Sequence, residues 1–388
     1  MQTSYRFHCR FFNFALKVCG LLFRKSFALQ LPVLPELPEN YLLISNHVTN
    51  YDPIFLGIAL RKQMYYVGTE NVVNTGAGGF LLRTFLDPIA IPKGGNSAGA
   101  VMEILRRLRA GRRVALMAEG NTTWDGCSIP IPAATGKMVR ASGASLVTCR
   151  IHGAYFMSPR WAYSRRRGSV RVEPVHIYSP EELRAMKPDE INRHISEDIQ
   201  LDAYEEQYAA PVRHQGRKLA KGLEHALVLC PQCLRFGTLQ SRGSRFSCSC
   251  GLKGTYDAYA ALQGKGFSFT SVRDWFRWQK GYIRDMAEPA EDAVLASDPQ
   301  LVLNRVEAGK RSLMVRGKTE MTDRVLRIGE MCFALNDIED MAVCLRGTLA
   351  FSLKDGRYFE LISPRKKRSF SGLKYKLLYD RFGAIPRT

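Results

Sequence analysis

Between residues 41 and 151, short apolar runs alternate with helix-length amphipathic stretches, and this alternation limits what the chain can fold into more than any other feature. Tyr41–Ser45, reading YLLIS, is compact, apolar and bounded by polar residues, the mark of a short buried strand. The polar loop Asn46 to Tyr51 follows, and then Asp52-Pro53 opens a helix, with Asp set to cap free amides and Pro fitted to the first turn. Further strands are predicted at 64–69, 88–92, 113–119 and 145–151, with helices around 78–86, 97–110 and 135–142. Strands and helices alternating at these lengths predict an α/β sandwich over a largely parallel sheet, with functional loops at strand ends.

At 388 residues the chain has room for two or three units. We divide it into an N-terminal segment 1–34, the α/β domain 35–215, a Cys-rich module 226–256, an aromatic and basic helical linker 257–300, and a small β domain 305–388 that ends in a helix. Ser179-Pro180-Glu181-Glu182 has the pattern of a capping box, so a helix is expected from about 180 to 208, closing the α/β domain. In the tail, alternating runs such as SLMVRG and RYFELI read as strands, and the stretch 368–382 reads as a helix across their open end. That pattern is similar to pleckstrin-homology-like domains.

Lys and Arg number 56 against 36 Asp and Glu, a net charge of +20, which calls for an anionic partner: lipid headgroups or nucleic acid. A mean hydropathy of −0.18 excludes a polytopic membrane protein. Residues 5–29 are rich in Phe and Leu but interrupted by Arg6, Arg10, Lys17, Arg24 and Lys25, so no apolar stretch there is long enough to span a bilayer. As a helix this segment either lies flat in a membrane interface, with Phe7, Phe11, Phe14, Leu21 and Leu22 in the acyl boundary, or packs on the α/β domain. Of ten cysteines, only Cys230, Cys233, Cys248 and Cys250 are closely spaced, which argues against a disulfide scaffold and for a reducing compartment.

His47 lies on a loop directly after a strand, and Asp52 stands five residues on. A neutral imidazole there suits the removal of a proton from an attacking hydroxyl, and a carboxylate on its other ring nitrogen would fix the tautomer and steady the imidazolium. On one continuous helix the two side chains would point about 140° apart, so the pair makes chemical sense only across a turn. Taken alone, the bland reading is a loop histidine and a helix-capping aspartate.

The stretch Asn46-His47-Val48-Thr49-Asn50-Tyr51-Asp52 resembles the N-H-x-x-x-x-D signature of the glycerolipid acyltransferases, the 1-acylglycerol-3-phosphate acyltransferase family. IAIPK at 89–93 is similar to the family's second block, MAEGNTT at 117–123 to its third, and SLVTCRIHGAYF at 145–156 to its fourth, over about residues 35–180. The resemblance implies His47 as general base and Asp52 as its partner. It further implies that Asn46, Lys93, Glu119, Gly120, Asn121, Thr122 and Lys137 shape the acceptor site. The donor would be acyl-CoA or acyl carrier protein, and the acceptor a lysolipid hydroxyl. Lys93 and Thr122 stand where the family carries arginines; neither grips a phosphate bidentately, which favours an acceptor without a terminal phosphomonoester unless Lys137 or the run Arg160, Arg165, Arg166, Arg167 and Arg171 compensates. No Gly-x-Ser-x-Gly elbow occurs, so direct transfer is expected.

Cys230-Pro-Gln-Cys233 and Cys248-Ser-Cys250-Gly251 form two knuckles suited to a closed structural Zn²⁺ site in a zinc ribbon. Trp275, Phe276, Trp278 and Tyr282, interleaved with basic residues, belong to a helix that is either interfacial or core-facing. A ribbon on so basic a chain makes a zinc-dependent nucleic-acid-binding or regulatory protein the competing reading, although the ribbon's flanks mix both signs. The expectation is a peripheral enzyme on the cytoplasmic face of an anionic membrane.

Overall fold

A computed structural model describes residues 2–69, 83–91, 98–307, 309–344, 346–364 and 370–383. The chain divides into two units, one comprising residues 1–159 and 166–215, the other 160–165 and 216–388.

The first unit opens with helix α1 (Gln2–Phe27) and the two-residue strand β1 (Leu29–Gln30). There follow β2 (Tyr41–Ser45), α2 (Asp52–Leu60), β3 (Tyr65–Thr69), β4 (Ile89–Ile91), α3 (Ala98–Arg109), β5 (Val114–Met117), α4 (Ala134–Ser142), β6 (Ser145–His152), the short helix α5 (Ala154–Met157) and β7 (Val170–Tyr178). The sheet order is β1-β7-β6-β2-β5-β3-β4; β6, β2, β5, β3 and β4 run parallel, and β7 reverses against β6. This is the α/β architecture expected, with β2 near the middle. Leu42, Ile44, Val114 and Leu146 from the central strands bury against Ile104 and Leu108 of α3 and Val139 of α4.

The helix expected over 180–208 is three: α6 (Pro180–Ala185), α7 (Pro188–Ile199) and α8 (Ala203–Ala209). The capping box at Ser179 and Glu182 is present. Pro188 ends the run, because the residue before a proline is driven out of the helical region; Lys187 sits at ψ 152°. Most of the stretch 78–86, and Lys93, lie outside the described residues.

On α1, Phe7, Phe14, Val18, Leu21 and Leu22 are exposed, as are Arg6, Arg10, Lys17 and Arg24 beside them. Phe11 departs from the expected face: its ring stacks on Phe85 at 4.4 Å. The buried Phe27 ring meets Tyr51 and Phe55 at 5.0 and 5.1 Å, which fixes the end of α1 on α2. No helix among the described residues is long and apolar enough to cross a membrane.

The second unit carries an antiparallel sheet of β8 (Leu239–Arg242), β9 (Arg245–Cys248), β10 (Lys253–Tyr256) and β11 (Leu262–Lys265), in the order β11-β10-β9-β8. Helix α9 (Val272–Arg284) follows it. Trp275 is fully buried, its ring 5.1 Å from Phe267 and its indole N–H donated to Leu229 O at 3.0 Å. Gln279, also fully buried, accepts from the amides of Val228 and Leu229 and donates to Ala226 O. Helix α9 is therefore core-facing on Trp275, Phe276 and Gln279, and of its aromatic side chains Trp278 and Tyr282 keep contact with solvent. Beyond it, seven antiparallel strands form the sheet β15-β14-β13-β12-β18-β17-β16. They are β12 (Ala296–Glu307), β13 (Lys310–Met321), β14 (Val325–Ile328), β15 (Met331–Ala334), β16 (Ile338–Cys344), β17 (Thr348–Leu353) and β18 (Tyr358–Ile362). Helix α10 (Leu373–Phe382) closes the chain as expected, burying Leu373, Tyr375, Leu378 and Phe382. The β module starts at Ala296, inside the segment read as a helical linker, because Asp298 and Pro299 interrupt the strand pattern before the apolar run Leu301–Leu303.

Candidate active site and metal-ligating cluster

The parallel register places the candidate residues. Ser45, the last residue of β2, lies opposite Met117 at the end of β5 and opposite Cys149 in β6. Two residues beyond those partners, His47 and Glu119 are level, and the His47 N–H donates to Glu119 Oε1 at 3.2 Å. The His47 carbonyl accepts from Thr123 N at 3.2 Å. Both backbone groups of His47 are thus held by the loop after β5.

Asp52 stands five positions after His47, and a turn closes the gap. Asp52 N–H donates to Thr49 O at 3.3 Å, and the Tyr51 amide donates to Thr49 Oγ1 at 3.0 Å. The imidazole Nδ1 then lies 2.8 Å from Asp52 Oδ2. The buried carboxylate also accepts from the Val48 amide at 2.8 Å, the Thr49 amide at 3.0 Å and the Thr49 hydroxyl at 2.9 Å. Asp52 does not cap α2 as the sequence suggested. It is the helix's first residue, and it turns back onto loop amides.

The Val48 amide, the Thr49 amide and the Thr49 hydroxyl all donate to the Asp52 carboxylate, whose oxygens act as acceptors. In the tautomer in which Nδ1 donates to Asp52, Nε2 is left with its lone pair. The His47 side chain is 17% exposed against 0% for Asp52, so solvent reaches the imidazole and not the carboxylate.

Glu119 accepts a second amide, from Ile129, at 3.1 Å. Burial pushes its carboxyl up to about 8; the amides of Ile129 and His47 oppose this, and the Asp52 charge reinforces it. Glu119 therefore stays protonated through neutral pH and adds little charge beside Asp52. Between the usual carboxylate range and about 8, unfolding releases this proton, so stability falls as pH rises across that window. The slope is about 1.4 kcal/mol per pH unit. Glu119→Gln should flatten the decline in melting temperature, although its amide NH₂ faces one donor and lowers stability in mild acid; equal slopes for both proteins would refute the assignment.

The other residues implied by the resemblance separate. Asn46 is fully buried, donating to Ile151 O at 3.1 Å and accepting from Ile151 N at 2.8 Å. It pins the loop to β6 like one more peptide of the sheet, so both ends of its amide are already engaged. Gly120, at φ +70°, makes the left-handed turn after Glu119 with nothing within 4 Å of an added Cβ, and Asn121 beside it is exposed. Thr122 is buried. Lys137 is exposed in the first turn of α4. Of the expected arginine patch, Arg165, Arg167 and Arg171 are exposed, the last pairing with Glu173 at 3.1 Å, whereas Arg166 is buried and Arg160, in the second unit, donates to Val343 O.

Sequence reading missed Thr49, whose hydroxyl and amide complete the Asp52 cradle, and Thr123; both stand inside the motif blocks at positions the signature leaves variable or secondary. It also missed His152 at the end of β6, whose ring nitrogens lie 2.5 Å from Glu206 and 2.7 Å from Glu173.

In the second unit the sulfur atoms of Cys230, Cys233, Cys248 and Cys250 all lie within 4.8 Å of one another. Cys230–Cys250 and Cys233–Cys248 are each 3.7 Å apart. The edge of a tetrahedron with Zn–S bonds of about 2.3 Å is about 3.8 Å, so the cluster fits a four-thiolate ion site with no position left open. Burial opposes ionisation of Cys233, but the Arg235 amide and guanidinium outweigh it and hold the thiol down, at about 6. Amides of Gln232 and Cys233 point at Cys230, that of Cys250 at Cys248, and that of Leu252 at Cys250.

Among solved structures, the 1-acyl-sn-glycerophosphate acyltransferase PlsC from Thermotoga maritima is similar at 15% identity, over 52% of this chain and 95% of that one, with a TM-score of 0.40. Residues 31–152, which hold His47, Asp52 and Glu119, match the model of the Acyltransferase family. Residues 31–152 are therefore a domain of the Acyltransferase family.

Proposed function

We propose that the α/β unit transfers a fatty acyl group from acyl-CoA or acyl carrier protein to a lysolipid hydroxyl at a membrane surface. The observation that carries this reading is the Nδ1-anchored His47, whose side chain is partly open to solvent while Asp52 is sealed. In this mechanism Nε2 takes the hydroxyl proton as the oxygen attacks the thioester carbonyl. The new C–O bond forms, the tetrahedral intermediate expels the thiolate, and the imidazolium returns its proton to that sulfur. Asp52, fixed by three further hydrogen bonds, stabilises the imidazolium without moving.

Around the dyad, Gly120 and Asn121 offer an exposed loop for the acceptor. Thr122 is buried and carries no charge, which supports an acceptor without a terminal phosphomonoester. Peripheral attachment is supported by α1, whose exposed Phe14, Leu21 and Leu22 lie beside Arg10, Lys17 and Arg24. The four thiolates of the second unit hold structural Zn²⁺ in this reading.

The test is incubation of the full chain with radiolabelled acyl-CoA and a panel of lysolipids. Transfer to a lysolipid is expected, with phosphodiester headgroups preferred over lysophosphatidic acid. No acyl transfer to any member, from either acyl-CoA or acyl carrier protein, would contradict the proposal.

A further inference from the structure

The sheet β8–β11 has two unlike faces. Leu239, Phe246, Cys248, Tyr256 and Leu262 point inward and are buried. The alternate positions point outward, and the register arranges them in two rows across four strands. One row pairs Gln240 with Ser247, Ser247 with Lys253, and Lys253 with Lys265. The other pairs Arg242 with Arg245, Arg245 with Thr255, and Thr255 with Gln263. All are exposed, four are cations, and none is acidic.

Two of these cross-strand neighbours are like charges placed directly opposite, Arg242 with Arg245 and Lys253 with Lys265. Such pairs destabilise a sheet, and none of the four cations has an ion-pair partner among the described residues. A fold that leaves its repulsion uncompensated on one face is complementary to an anion spread over the same area. At about 4.8 Å between strands the face is about 15 Å wide.

We infer that this face docks on an anionic lipid bilayer. The choice of bilayer over nucleic acid rests on the lipid-acceptor reading of the α/β unit and on the composition of the face. It has no aromatic side chain on which a base could stack. It presents two rows of cations and hydrogen-bonding groups suited to a plane of phosphodiester headgroups, and none of its outward residues is apolar. Attachment through it is electrostatic and lost in high salt.

The experiment is co-sedimentation of the full chain with vesicles of phosphatidylcholine, alone or mixed with phosphatidylglycerol, for wild type and for R242Q/R245Q/K253Q/K265Q. Wild type should prefer the mixed vesicles, and the variant should lose about tenfold or more of that partitioning, together with most of its salt dependence. The charge-keeping variant R242K/R245K/K253R/K265R should bind like wild type, and thermal melting checks that all three are folded. Equal partitioning of wild type and glutamine variant would overturn the inference. So would unchanged vesicle binding accompanied by loss of affinity for a DNA or RNA oligonucleotide. Sedimentation needs no acyl donor, so its failure leaves the chemistry of His47 untouched, and a failed transfer assay leaves the docking result standing.

Discussion

His47→Ala should lower kcat/KM for acyl transfer by about 10²- to 10⁴-fold, the usual contribution of a positioned general base. The loss should appear mainly in kcat, because the imidazole acts on a proton that moves only as the new bond forms. Folding should survive. The Asp52 carboxylate keeps its bonds from Val48 and Thr49, and the His47 backbone stays clamped by Glu119 and Thr123 whatever its side chain. A rate within a few-fold of wild type, with melting unchanged, would remove His47 from the chemistry.

The second large effect belongs to the tetrathiolate. If the four cysteines hold Zn²⁺, the ion stabilises the ribbon by about 10–16 kcal/mol apparent, as structural zinc does in small modules. The sheet they close is only four short strands, Leu239–Lys265, too little core to hold itself. Elemental analysis should find one zinc per chain. Stripping it with a strong chelator, or introducing C233S/C248S, should abolish hydrogen-exchange protection across β8–β11. A chain without bound metal and with full protection there would contradict the assignment.

The dyad was legible because it is local. A strand, a polar loop and Asp-Pro at a helix start already imply the turn that brings residue 52 back to residue 47. Glu119 was legible as a motif member and not as a clamp, because its bond to His47 depends on Ser45 pairing with Met117, a register set by the sheet as a whole. The Asn46 bonds were hidden for the same reason: its partner, Ile151, is 105 residues away, and nothing nearby shows that the amide replaces a strand contact. The breaks in the 180–208 helix were written in Pro188 and overridden by the acidic amphipathic run. Trp275 illustrates the remaining ambiguity, since a basic aromatic helix reads alike whether it faces lipid or a core, and only the rings of Phe246, Phe267 and Phe269 decide it.

The account stands on His47 and Asp52 acting as one unit, and a double-mutant cycle on kcat measures that directly. Asp52→Asn keeps the shape of the cradle but turns a donor toward Nδ1, so the imidazole loses its working tautomer and the rate should fall nearly as far as in His47→Ala. With the base already gone, removing the carboxylate has nothing left to spoil, and the double variant should match His47→Ala within about threefold. Losses that multiply in the double variant would mean that the two residues work independently, and the mechanism proposed for this site would be wrong.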